Sequence, residues 1–172
     1  MAKPVKTNVL RHLDAEHIPY ETRTYEVTDE PFDGKSVIDK TGLDPAMIYK
    51  TLVLCDDRNG HLTCIVPVES ELDLKKVARA SGHKSVSMLR MKELLPLTGY
   101  IRGGCSPVGM KKHFPTYLDR HALEQATLSV SAGVRGCQVL LGREDLIRIT
   151  QATVADLTRE DQEPDTNEPW KG

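Results

Sequence analysis

The chain has 172 residues, 28% charged and 39% hydrophobic, with a formal net charge of −2. That length suffices for one domain with a sizeable core. The near-neutral balance excludes a generally basic nucleic-acid binder, though not a local basic face. No apolar run reaches the roughly 20 residues of a membrane span. The N-terminal stretch is basic and amphipathic, with no apolar signal core, so the expected location is cytoplasmic. Cys55, Cys64, Cys105 and Cys137 form no CxxC pair and have no histidine at finger spacing. They are read as reduced packing residues, with no metal site and no cofactor. Cys55 and Cys64 flank a predicted turn and are positioned to face each other.

In chain order, residues 7–16 place Val9, Leu10 and Leu13 at helical spacing behind a Thr7 or Asn8 cap. "YETRTYEV" alternates as a strand ending near Val27, and a loop carrying Phe32 follows. "KSVIDKTG" is a short helix stopped by Gly42, and "DPAMI" turns into "YKTLVLC". Asn59-Gly60 predicts a hairpin between that strand and "HLTCIVPV". "ELDLKKVARASG" is a helix with Lys75, Lys76 and Arg79 turned outward. "SVSML" is a short strand, and "RMKELLPLTG" a helix stopped by Pro96. "YIRGGCSPVG" is a glycine-rich loop after a strand-like start; "TYLDR", "TLSVSA" and "CQVLLG" are strands, and "REDLIRIT" begins a closing helix. The acidic tail, residues 159–172, has the composition of a disordered end, so the domain is expected over residues 1–158. The expected fold is one α+β domain with a mixed, curved, barrel-like sheet surrounded by helices.

Three stretches invite a chemical reading. Lys50 opens an apolar strand in phase with Leu52 and Leu54. It is either a lysine stretching to water or one held in a cleft. Gly103, Gly104, Ser106, Pro107 and Gly109 form a loop whose bare N–H groups suit an oxyanion, a carboxylate or a phosphate, or simply make a tight turn. Ser131 and Gly133 in "SVSAGVRG" lie where a strand meets a second glycine turn. No GxSxG, HExxH, P-loop or GxGxxG motif is present. Cys105 has no histidine near it in sequence.

Taken together, "TYE" at 24–26, "YKTLVL" at 49–54, "LDLKKVA" at 72–78, "TGYIRGGCSPVGMKK" at 98–112 and "SAGVRG" at 131–136 resemble the YbaK/EbsC family. Its known members include bacterial Cys-tRNA(Pro) and Cys-tRNA(Cys) deacylases, and it is related to the editing domain inserted into bacterial prolyl-tRNA synthetases. The resemblance runs from the first helix to near Arg159. It implies that Lys50 lies in the substrate pocket, where an ammonium meets the tRNA 3′-end. It likewise implies that Gly103, Gly104 and Ser106 belong to the catalytic loop. Tyr25, Phe32, Pro107, Ser131 and Gly133 would bind substrate. The implied reaction is cleavage of the aminoacyl ester, with the substrate's own cysteine thiol attacking the carbonyl and loop N–H groups polarising it. The implied partners are the 3′-end of an aminoacyl-tRNA and prolyl-tRNA synthetase.

Two departures stand out. Family members commonly carry a lysine at Val134 and an aspartate at Gln138. These departures keep two rivals open: a deacylase for another small amino acid, such as Ala-tRNA(Pro), and a non-catalytic aminoacyl-tRNA or protein-binding module. Lys75, Lys76, Arg79, Lys84, Lys111 and Lys112 are candidate tRNA contacts.

Overall fold

A computed structural model describes residues 6–29 and 33–160. Phe32 and residues 161–172 lie outside the described residues. The helices are short, and the first three are capped by side chains. Thr7 caps α1 (Asn8–Ala15) by accepting from the Leu10 N–H. Asp33 and Asp73 cap α2 (Gly34–Thr41) and α3 (Leu74–Ser81) in the same way. Each of the latter two ends in a left-handed glycine, Gly42 or Gly82. The helix α4 (Met91–Thr98) runs through Pro96 and ends at Gly99 instead. Its last turn survives the missing proline N–H because three neighbours hold it. Thr98 Oγ1 donates to the Leu94 carbonyl, Gly99 N–H to that of Leu95, and Lys111 Nζ to that of Pro96. The closing helix α5 is Arg143–Thr150.

The strands form two sheets. In the first, β1 (Tyr20–Thr24), β7 (Cys137–Gly142) and β6 (Thr127–Ser131) are antiparallel in the order β1-β7-β6. In the second, β4 (Val86–Met88), β2 (Tyr49–Asp56), β3 (His61–Pro67), β5 (Thr116–Asp119) and β8 (Thr153–Ala155) lie in the order β4-β2-β3-β5-β8. The pairs β3-β5 and β5-β8 are parallel. A single parallel bridge, Ile48 to Ser129, links the sheets, so the expected barrel does not close. The fold is a mixed α+β domain.

Alternation along β2 sorts its side chains between two cores. Val53 and Tyr49 join Ile65, Leu118 and the apolar face of the first sheet, beneath α1 and α5. Leu52 and Leu54 face Leu62, Cys64, Val66, Val77 of α3 and Leu157. The same alternation places Cys55 and Cys64 on opposite faces of the hairpin, so they do not face each other as expected; all four cysteines are free. The strand expected to run to Val27 ends at Thr24, although Tyr25 N–H still bonds the Gly136 carbonyl. No strand starts at Tyr100, because its N–H turns back to Thr98 Oγ1. Among the described residues, no helix is long and apolar enough to cross a membrane.

Candidate active site

The site follows from an incomplete pairing. On its β4 side, β2 is paired only from Leu54 to Asp56, and Leu89 N–H closes on the Val53 carbonyl. The first half of β2 therefore keeps an open edge. A cavity of about 440 Å³ runs along that edge, lined by consecutive residues Tyr49 to Val53. Because it follows an edge, both faces of the strand reach it, and Lys50 lines it together with Thr51.

Its buried end is walled by Val37, Ile48, Tyr49 and Val53, and by Ser131 and Gln138 of the first sheet. Its mouth carries Met88, Arg90, Met91 and Arg102, which are exposed. Gly103, Cys105 and Asp33 also belong to the wall. The cavity thus runs from an exposed cationic rim to a buried, small and mostly apolar end.

Lys50 is half-buried and forms no ion pair among the described residues. Burial lowers its pKa, opposed by the more distant Glu71 carboxylate. Thr51 Oγ1 is buried in the same wall with no hydrogen-bond partner. Cys105 is buried, and desolvation pushes its thiol up to about 12, so it stays protonated and is a poor nucleophile near neutrality.

The glycine loop is held from behind. Tyr100 Oη donates to the Val108 carbonyl at 2.6 Å, and Asn8 Nδ2 to that of Gly109 at 3.0 Å. The Gly104 N–H is used by the Ile101 carbonyl, and that of Val108 by Ser106 Oγ at 3.3 Å. Those two donors serve the loop itself; the N–H groups of Gly103 and Cys105 take no part in its internal bonds. The second glycine turn packs against the first. Arg135 Nε donates to the Arg102 carbonyl at 2.9 Å, and a Cβ on Gly133 would lie 3.0 Å from Val9 Cγ2 and 3.3 Å from Tyr100 Cε1. Replacing Tyr100 by phenylalanine would leave the buried Val108 carbonyl unpaired. The expected cost is about 1–3 kcal/mol in urea denaturation, with the fold retained.

Of the residues singled out from the sequence, Lys50, Gly103 and Ser131 meet in the cavity wall. Gly104 sits just behind it, against the Val134–Arg135 backbone. Ser106 is fully buried within the loop, and Pro107 lines a separate cavity of about 190 Å³ on the loop's other side, beside His12 and His113. Gly133 packs on Tyr100, and Tyr25 joins Val37 and Ile48 in the small core under the cavity. Lys76 is not an outward-facing cation as expected. Its ammonium reaches the Thr158 carbonyl at 2.7 Å, Asp156 at 3.1 Å and Glu160 at 3.3 Å. None of the six candidate tRNA lysines and arginines lines the cavity. The cations there besides Lys50, among the described residues, are Arg90 and Arg102, which sequence reading passed over; Arg102 lies inside the glycine-loop motif already singled out and Arg90 opens the stretch "RMKELLPLTG", and those positions were the available signal.

The aminoacyl-tRNA editing domain model matches residues 34–149. That span covers the cavity wall from α2 to the second glycine turn, and the chain belongs to this family. It is 42% identical over 153 residues, 89% of this chain and 93% of the other, to a protein of Enterococcus faecalis named "Putative Cys-tRNA(Pro)/Cys-tRNA(Cys) deacylase EbsC". Its fold matches a crystal structure described as a "putative trans-editing enzyme for prolyl tRNA synthetase", with a TM-score of 0.77 and 25% identity over 92% of this chain and 99% of that one. A hypothetical protein of 22% identity shares the fold at a TM-score of 0.79, covering 89% of this chain and 100% of the other.

Proposed function

We propose that the chain removes cysteine from mischarged Cys-tRNA(Pro) in trans, using the substrate's own thiol as nucleophile. As a member of the editing family, it is an aminoacyl-tRNA deacylase that cleaves the ester bond. The amino acid and the mechanism are the proposal. One observation carries it: a half-buried lysine with no ion pair shares a small cavity with a glycine loop, and no histidine lines that cavity among the described residues.

The chemistry follows from that inventory. The cationic mouth, with Lys50 inward of Arg90 and Arg102, suits the phosphates and ribose of a tRNA 3′-end. The buried end takes the aminoacyl side chain. The substrate thiolate attacks its own carbonyl carbon, and the charge that develops on the carbonyl oxygen is met by the N–H groups of Gly103 or Cys105. The new S–C bond replaces the ester C–O bond, and the ribose oxygen leaves with a proton from solvent. Water then opens the cyclic thioester to give cysteine. Orientation within the cavity can supply roughly 7–11 kcal/mol of the barrier, which is why no protein nucleophile is required.

With Lys76 engaged elsewhere and few free cations near the mouth, tRNA affinity by this chain alone is weak and salt-sensitive. We propose prolyl-tRNA synthetase as the partner that presents the tRNA.

The test is release of cysteine from preformed Cys-tRNA(Pro) by the purified protein, beside Ala-tRNA(Pro) and Ser-tRNA(Pro). Rapid release from the cysteinyl tRNA alone is the expected result. Preference for the alanyl tRNA would move the specificity to another small amino acid. No turnover with tRNA binding retained would make the chain a binding module.

A further inference from the structure

Among the polar groups of the cavity wall that the mechanism above leaves unused, one is an amide. Gln138 is 5% exposed and lines the cavity wall. Its Oε1 accepts from the Ser129 hydroxyl at 2.8 Å, and Ser129 is itself fully buried. No described residue accepts a hydrogen bond from the other end of the amide, its NH₂ group. The amide nitrogen is therefore a donor open to the cavity with no protein acceptor, in contrast to the fully enclosed Thr51 Oγ1 of the same wall. Such a group in a cavity wall points to a ligand atom that completes it.

The register explains why the amide stands there. Gln138 pairs with Ser131 across β6 and with Arg23 across β1, and Ser129 lies two residues along the same face of β6. That face of the first sheet carries these polar groups beside Leu140, whereas Val130, Val139 and Leu141 turn the other face into the main core. Ser131 and Gln138 are thus placed in the wall of a cavity whose other buried lining includes Val37, Ile48, Tyr49 and Val53, with Ser129 fully buried beside the amide.

We infer that Gln138, oriented by Ser129, donates an amide N–H to the side-chain sulfur of the bound aminoacyl group and favours its thiolate. The inference rests on the deacylase reading above and names the group that makes the cavity select a thiol. A neutral donor stabilises an anion in a desolvated site, and a carboxylate in its place repels one. The surrounding charges agree in sign. Lys50 on β2, with Arg90 and Arg102 at the mouth, are cationic, and Arg23 stands opposite Gln138 with its guanidinium on the Thr41 carbonyl. Asp33 is the carboxylate of the cavity wall, and it caps α2 through the Ser36 N–H at 2.8 Å. Burial raises the pKa values of Tyr49 and Cys105, so neither adds a negative charge at neutral pH.

The experiment uses the full chain with an unreactive substrate mimic, the cysteinyl amide of 3′-amino-3′-deoxyadenosine, and its seryl counterpart as blank. The thiol of the bound mimic is titrated by ultraviolet difference absorbance, and cysteine release from Cys-tRNA(Pro) is followed against pH. The variants are Gln138→Met, which keeps the length and removes the donor, Gln138→Glu, and Ser129→Ala, which releases the amide. Circular dichroism checks that each is folded.

The expected result is a bound-thiol pKa below that of the free mimic in the wild type. It should rise by about one unit in Gln138→Met and further in Gln138→Glu, with an accompanying fall in cysteine release of about tenfold or more at neutral pH. The release profile should shift to higher pH by the same amount, which a merely structural role would not produce. Ser129→Ala should lie between wild type and Gln138→Met. A wild type that binds the mimic and releases cysteine while all variants titrate with it would overturn the assignment of Gln138 alone. A wild type that neither binds the mimic nor releases cysteine would overturn the deacylase reading and the assignment with it.

Discussion

Lys50→Met should lower single-turnover cysteine release about 10²–10³-fold, the usual penalty for removing one charge-stabilising group from a site. It should leave the melting temperature unchanged or raised. The two halves of this expectation have one cause. Lys50 is half-buried and without an ion pair among the described residues, and burial lowers its pKa below 10.5. Between the lowered folded value and the unfolded value, the unfolded chain binds more protons, so stability rises with pH across that window. At neutral pH the lysine is charged in both states and its desolvation is a net cost to folding. Methionine fills similar volume and removes that cost. A carbon-13-detected titration of the Lys50 side chain should give a midpoint below the ordinary lysine value. A variant several degrees less stable that still turns over would show that Lys50 is a packing residue with its ammonium in water.

Gly104→Ala is expected to part the two glycine loops. An added Cβ would lie 3.1 Å from Val134 Cα and 3.2 Å from both Arg135 N and the Val134 carbonyl carbon. All three are backbone atoms, so no side chain can swing away to make room. Overpacking of this kind costs about 1–3 kcal/mol. Because a displacement near 1 Å at a reacting centre can cost about 10²-fold, activity should fall much further than stability. The comparison is Gly82→Ala, at the end of α3, where φ is +78° and nothing stands within 4 Å of the new atom. That substitution meets only the left-handed backbone penalty of roughly 1–2 kcal/mol, and its cysteine release should match wild type. Equal activity losses in the two variants, at matched fraction folded, would sink the argument that loop-to-loop packing positions the site.

Motif order in the chain led to the family and to three cavity residues, Lys50, Gly103 and Ser131. It was less good at separating residues that face the ligand from those that hold the ones that do. Ser106 and Gly104 lie in the same short loop as Gly103, yet one hydroxyl caps the Val108 N–H and the other residue is packed against Val134. Sequence adjacency does not resolve such differences, since consecutive residues in a tight turn point in unrelated directions. Lys76 failed as a tRNA contact for a related reason. Its acidic partners, Asp156 and Glu160, lie 80 and 84 residues further along the chain.

The local elements are encoded in short stretches of the chain. Side-chain caps at Thr7, Asp33 and Asp73, the Asn59-Gly60 turn and the glycine stops act within a few residues, and the hydrophobic periods set which face of each element is buried. Even there Pro96 was misleading, because the groups that sustain α4 beyond it include Lys111 from outside the helix. Tertiary structure alone decided that the sheets stay open and that β2 keeps a free edge. It also decided that Gln138, bonded to Ser129, stands in the wall of a cavity lined as well by residues of another sheet. Those outcomes depend on strand pairing and packing between residues far apart in the chain, and no local propensity encodes a partner's position.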